Sequence, residues 1–169
     1  VVGPHSWKKY LFPPREVLLT AEKTPSGWSF VPRANENAKR ALLGVRACEL
    51  AAIQVQDRVF LEGPFQDPIY RQRREQLFVI AVNCTQAAST CFCTSMKTGP
   101  ECRQGFDLAL TEIDNAFLVD VGTDLGQDLL KACDFATASP DQCEAGVQAR
   151  QQVVDQIVRQ MSTDGLPQM

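Results

Sequence analysis

The stretch Leu77-Phe-Val-Ile-Ala-Val-Asn-Cys84 decides the fold. Its first six residues are apolar without interruption. Such a run reads as a strand buried in a sheet covered on both faces. It falls well short of the ~18 to 20 apolar residues a membrane span needs. The strand delivers Asn83 and Cys84 at its C-terminal end. An upstream segment repeats the layout. Arg40-Ala-Leu-Leu-Gly-Val-Arg46 reads as a second buried strand and runs straight into Ala47-Cys48. If the two strands are parallel neighbours, both thiols emerge at one sheet edge, where ligands gather in open α/β sheets.

Working outward, a helix is expected from about Ala47 to Val59, with Leu50, Ala52 and Ile53 inward and Gln54, Gln56 and Asp57 outward. Asp67-Pro68 is a helix start, with Asp as N-cap and Pro at the first helical position, and that helix should run to about Gln76. Trp28-Ser-Phe-Val31 reads as a short strand after a Pro-Ser-Gly turn. Residues Trp7 to Arg15 read as an arm with a helical turn, broken at Pro13-Pro14. Its aromatic residues, Trp7, Tyr10 and Phe12, are expected to pack.

Beyond the strand at Leu77, a loop from about Thr85 to Gly105 carries a cysteine cluster, and a long irregular loop in a compact domain is usually functional or disordered. Phe106, Leu108 and Leu110 alternate, as do Phe117, Val119 and Val121 after Asp114-Asn115, the pattern of a hairpin. Asp124 with Gln127 and Ser139 with Gln142 have capping-box spacing. The helix after Ser139 should bury Val147, Val154, Ile157, Val158 and Met161, and Gly165-Leu-Pro167 should stop it. The expected fold is α/β: a mixed, partly parallel sheet with flanking helices and one β-hairpin.

The 169 residues fit a single domain, 1–169. Hydrophobic residues make up 44% and charged residues 22%, an ordinary globular mix. Seventeen basic and twenty acidic side chains leave a net charge of −3, which argues against a nucleic-acid binder. No membrane span, signal peptide, Walker A loop or dinucleotide-binding glycine pattern is present in the sequence, so a cytoplasmic location is expected. His5 is the sole histidine and is assigned no role, which sets aside triad chemistry. Arg71, Arg73 and Arg74 are read as a solvated helix face.

Seven cysteines, an odd number, cannot all pair. In a reducing compartment, clustered cysteines more often bind metal than form bridges. Cys84, Cys91 and Cys93 fall within ten residues, and Cys48 joins them at the shared edge. Four thiolates suit a cubane iron–sulfur cluster or zinc. The spacing, one distant Cys and then C-x6-C-x-C, matches neither a zinc ribbon nor the bacterial ferredoxin run. Metal identity therefore stays open at this point. Thr85, Ser95 and their small neighbours would let backbone N–H groups approach sulfur. Arg46, two residues before Cys48, would stabilise an anionic centre or form a structural ion pair. Cys133 and Cys143 are read as small core residues, and Cys102 as either a spare thiol or a substitute ligand.

Several segments, in order along the chain, resemble one family. They are Ser6-Trp-Lys-Lys-Tyr-Leu-Phe-Pro-Pro-Arg-Glu16, Gly44-Val-Arg-Ala-Cys-Glu-Leu-Ala-Ala-Ile53 with Asp57-Arg-Val-Phe60, Asp67-Pro-Ile-Tyr-Arg-Gln-Arg-Arg74, Val82-Asn-Cys-Thr85, Thr90-Cys-Phe-Cys-Thr-Ser-Met96, Thr98-Gly-Pro100 and Gly105-Phe-Asp-Leu-Ala-Leu-Thr-Glu112. The chain resembles the N-terminal region of the iron–sulfur (beta) subunit of cytoplasmic sulfhydrogenases, with the anaerobic sulfite reductase A subunit as a relative. The resemblance implies an electron-transfer module between a flavin-containing, NAD(P)H-linked subunit and a catalytic hydrogenase or sulfite/sulfur reductase subunit. It implies Cys48, Cys84, Cys91 and Cys93 as ligands of a 4Fe–4S cluster. The ferredoxin-like domain that follows in such proteins has no counterpart here, so the chain is expected to be a piece of a longer one. The other readings are a structural zinc-binding assembly domain and a thiol redox sensor using Cys91 and Cys93.

Overall fold

Two strands of the main sheet run parallel and side by side, as the paired strand–cysteine layout requires. In the computed structural model, which describes residues 6–32 and 38–166, β3 (Arg40–Arg46) pairs in parallel with β4 (Leu77–Val82). Arg46 is level with Val82, so Ala47-Cys48 and Asn83-Cys84 leave the sheet at the same edge. A bulge at Gly44, whose φ of 87° suits glycine, brings both Leu42 and Val45 inward. His5 lies outside the described residues.

The chain crosses from β3 to β4 through α2 (Ala47–Leu61) and α3 (Pro68–Glu75). Leu50 and Ile53 of α2 and Tyr70 of α3 are buried with Leu42, Val45, Val79 and Ala81, which forms the core. The Asp67 carboxylate accepts from the N–H groups of Ile69 and Tyr70 at 2.8 and 2.9 Å, the expected N-cap. Gln56 and Asp57 do not face outward as predicted. The Gln56 side-chain oxygen is buried, and Asp57 accepts from the Tyr70 hydroxyl at 2.6 Å and from Arg74. Nor do all three arginines form a solvated face: Arg73 pairs with Glu16 at 2.7 Å and Arg74 with Asp57 at 3.1 Å, while Arg71 bonds Gln66. These contacts hold the N-terminal arm and α2 against α3. The helical turn predicted in that arm is α1 (Lys8–Leu11), with Leu11 in the core. Phe12 stacks on Phe60 at 4.5 Å.

β4 also pairs in parallel with β5 (Leu108–Ile113), and β5 forms an antiparallel hairpin with β6 (Ala116–Val121), giving the order β3-β4-β5-β6. Asn115, with φ of 55°, turns the hairpin. Burial alternates along the sheet. Val79, Ala81 and Ala109 are closed on the helical face, while Leu43, Phe117, Val119 and Val121 on the other are exposed. The continuous apolar run of β4 thus marks a central strand whose second face is only half covered.

α4 (Asp124–Lys131) follows β6. Its N-cap is Thr123, not Asp124: the Thr123 hydroxyl accepts from Gly126 N–H and donates to Asp107 at 2.6 Å. Asp107 also accepts from Val79 N–H at 2.7 Å, and this anchor selects the cap. α5 (Pro140–Gln156) begins with the predicted Ser139/Gln142 capping box. It ends before Ile157, so Val158 and Met161 lie beyond the helix and are exposed. Its buried residues are Gly146 and Val153 rather than Val147 and Val154. Gly146 lets the helix close on Leu118, which turns the contact stripe by one residue.

A second sheet went unforeseen. β1 (Leu19–Thr24) pairs antiparallel with β2 (Gly27–Pro32), where the sequence suggested one strand. This hairpin stands off the main sheet, with Trp28 64% and Phe30 62% exposed. Among the described residues no helix is long and apolar enough to cross a membrane.

Candidate metal centre

The β4–β5 crossover has no helix. Parallel strands need a crossover of a dozen or more residues, and here residues 83–107 make it in irregular form. Such a segment must satisfy its backbone groups by specific bonds. Asn83, 2% exposed, supplies the first tie: its carbonyl oxygen accepts from Cys102 N–H at 2.7 Å and its amide donates to the Thr111 hydroxyl at 2.8 Å. Cys84 N–H donates to the Pro100 carbonyl. Arg150 of α5 donates to Thr111 and pairs with Glu101, fastening the far side of the loop. The return segment is thereby fixed against the C-terminal edge of β4.

Cys48 is the second residue of α2, where helix N–H groups and the positive end of the helix dipole favour a thiolate. Cys93 reaches this helix start from the loop. A side chain added at Gly99 would lie 3.1 Å from the Ala47 Cβ and 3.3 Å from the Cys93 sulfur, so glycine there makes room for the thiol. Cys91 accepts a hydrogen bond from Ala88 N–H, N to sulfur 3.3 Å. This is the backbone N–H to sulfur contact that the small residues of the loop suggested.

The thiols act on one another electrostatically. Desolvation raises the pKa of Cys84 to about 11, aided by repulsion from Cys48 and Cys93 and opposed by Arg46. Desolvation also raises Cys48, which is opposed mainly by Arg46 although part of the residue stays in solvent. Cys93 is raised by desolvation and by Cys48 and Cys91, and eased by its own N–H and that of Thr94. The fold thus brings Cys48 and Cys84 to one edge, with Cys93 against the start of α2, and raises the pKa of these three thiols. A cation among them reverses that balance, because a coordinated thiol is deprotonated outright. Among the described residues, no three metal-ligating side chains are gathered closely enough to hold a single metal ion.

The remaining candidates separate. Arg46 forms the ion pair, its guanidinium and its backbone N–H both donating to the Glu49 carboxylate at 3.1 and 3.2 Å, and its charge opposes the pKa rise of Cys48 and Cys84. Thr85 is half-buried beside Cys84. The Ser95 hydroxyl is engaged elsewhere, donating to the Gln160 side chain and accepting from Met161 N–H, both at 3.1 Å. Cys102 is buried, its thiol 3.6 Å from the Val82 carbonyl, and desolvation pushes its pKa up to about 12. It is a core thiol behind the site. Cys133 and Cys143 are exposed, not core residues as expected, because the segments bearing them lie on the surface.

Sequence reasoning missed Asn83 and Gly99 as site builders, although both fall in segments that carried the resemblance. It also missed residues 156–161 as a strap: Gln156 accepts from Ala87 N–H at 3.1 Å, adding to the two bonds at Ser95. Beside the site an open cleft of about 1340 Å³ separates α2 from α5.

Fold and site together define an α/β domain with a cysteine-bearing crossover at the C-terminal edge of parallel strands. Among characterised proteins the chain is similar to "Sulfhydrogenase 2 subunit beta" of Pyrococcus furiosus, 31% identical over 123 residues, 73% of this chain. It covers 34% of that relative's length, about a third. No protein-family model and no solved structure matches the chain.

Proposed function

We propose that this domain is an iron–sulfur electron-transfer module of a multi-subunit, sulfhydrogenase-like redox complex. The observation that carries the reading is that Cys48 and Cys84 follow level parallel strands at one sheet edge, with Cys93 close to Gly99 at the start of α2. The similarity to a sulfhydrogenase beta subunit supports it independently. Four thiolates suit a cluster and a zinc ion alike, and the likeness to a sulfhydrogenase beta subunit is what favours the cluster. When bound, such a cluster supplies a one-electron carrier.

The chain's own residues hold and tune it. The four cysteines are the proposed ligands, and Arg46 offsets the anionic charge that four thiolates bring. Ala88 N–H is already bonded to the Cys91 sulfur. Asn83 and Pro100 fix the loop against the end of β4. The partners in this reading are a flavin-containing, NAD(P)H-linked subunit and a catalytic hydrogenase or sulfur-reductase subunit, in the cytoplasm. The raised pKa of Cys93 counts against a thiol sensor, which needs a depressed one.

The test is iron, zinc and acid-labile sulfide per chain in anaerobically purified protein, with its visible spectrum. About four irons and four sulfides are expected, with brown absorption lost in Cys48→Ser and Cys93→Ser. Zinc without sulfide moves the assignment to an assembly domain. No metal after anaerobic reconstitution overturns both.

A further inference from the structure

The two outer strands of the main sheet are built differently. β3 begins and ends in arginine, Arg40 and Arg46, and carries the bulge at Gly44. Charges and bulges are usual means of keeping an edge strand from pairing with another chain. β6, Ala116-Phe-Leu-Val-Asp-Val121, has no bulge, proline or basic residue, and Asp120 is its one charge. Its Phe117, Val119 and Val121 are 58%, 38% and 43% exposed.

Hydrogen bonding shows which backbone groups line that edge. Asn83 N–H donates to the Leu110 carbonyl, so the backbone groups of Leu110 point toward β4. Successive residues of a strand direct these groups to alternate sides. Those of Ala109 and Thr111 therefore point toward β6, where Asp120 and Leu118 stand opposite. Gly122 N–H, which donates to the Asp107 carbonyl, continues the same alternation. The N–H and C=O groups of Phe117, Val119 and Val121 are left on the outer edge, and among the described residues nothing bonds them. Such an edge is a template for an added strand.

The sequence of β6 selects the occupant. We propose that β6 pairs antiparallel with β6 of a second copy of this chain, about a two-fold axis at Val119, joining two four-stranded sheets into one. In that register the two Val119 residues face each other and exchange both backbone bonds. Phe117 faces Val121 of the partner subunit, a favourable pairing of an aromatic with a β-branched side chain. Each Asp120 falls opposite a Leu118. Moving the axis to Asp120 sets two carboxylates face to face, which is destabilising. Moving it to Leu118 leaves Val121 opposite Asn115, in the hairpin turn. One register thus satisfies all three outward residues in both copies, the self-complementarity of an isologous dimer. Six residues on each side make a small interface, so the dimer is expected to form at about 10 μM and above. The proposal stands apart from the iron–sulfur reading and uses none of its residues.

The experiment is sedimentation equilibrium of the full 169-residue chain, under reductant so that exposed Cys133 and Cys143 cannot crosslink it. Amide hydrogen exchange, read residue by residue by NMR, accompanies it at low and high protein concentration. A monomer–dimer equilibrium is expected, with the N–H groups of Phe117, Val119 and Val121 protected only at high concentration. Val119→Pro removes an outward N–H that β5 does not use, and an edge strand tolerates proline there. Val119→Lys sets two like charges face to face. Both should stay folded, by circular dichroism, and weaken dimerisation at least about tenfold. Leu43→Lys, on the opposite edge strand, should leave the dimer unchanged. A chain that stays monomeric up to about 1 mM overturns the proposal. So does a dimer whose three edge amides exchange as fast as in the monomer, because it forms through another surface. A dimer retained by folded Val119→Lys or Val119→Pro also overturns it, as does open-ended assembly, since the two-fold closes at two copies. Should Val119→Pro unfold, Val119→Lys and the three amides decide.

Discussion

Tyr70 shows how one buried side chain ties chemistry to stability. It is 1% exposed and donates to Asp57 at 2.6 Å. Desolvation, then the bond to Asp57, raises its pKa above the ordinary 10.0. As pH rises past about 10, the unfolded chain releases this proton while the folded chain keeps it, so stability falls with alkalinity. Tyr70→Phe is expected to cost about 1 kcal/mol at neutral pH and to flatten that alkaline decline. Urea unfolding at pH 8 and pH 10.5 checks both. The cysteines give a second outcome at this scale. Cys133 and Cys143 are exposed and should react first with an alkylating reagent, while buried Cys102 should react only on unfolding, as mass spectrometry of labelled peptides will show.

The elements are held by close approaches that only glycine permits. A Cβ at Gly126 would lie 2.1 Å from the Asp107 carbonyl oxygen, a backbone atom fixed by the sheet. One at Gly146 would meet the Leu118 side chain at 2.4 Å, and that side chain can move. Gly126→Ala should therefore cost about 3 kcal/mol and Gly146→Ala about 1 kcal/mol, measured by denaturant unfolding. Asp67→Ala should cost about 1 kcal/mol through its N-cap. Much at this scale was legible in sequence. Strand runs, the Pro68 helix start, the Ser139 cap and the Asp114-Asn115 turn are each spelled by residues close along the chain. The Thr123 cap was not, because Asp107, sixteen positions away, selects it.

Across the whole molecule, stability should be uneven. The β1–β2 hairpin stands apart with an apolar face in solvent, and a lone two-stranded hairpin is marginal in water. Hydrogen exchange is expected to be fast over 19–32 and slowest at Val79 and Ala81 in the core. If the iron–sulfur reading holds, chelating the metal should lower the melting temperature and expose the 85–98 loop to protease, because ligand binding stabilises only the folded chain. Scanning calorimetry and limited proteolysis measure this.

The α/β class, the parallel strand pair and the delivery of Cys48 and Cys84 to one edge were readable from residue order, because apolar runs and turn residues act over a few neighbours. Tertiary structure decided which arginines pair, which residue caps α4, and which cysteine is closed into the core. Those outcomes depend on register between segments tens of residues apart, and no local pattern encodes register at that distance. Cys102 makes the point: in sequence it sits with the cluster, and only the packing of Asn83 and Val82 makes it a core thiol.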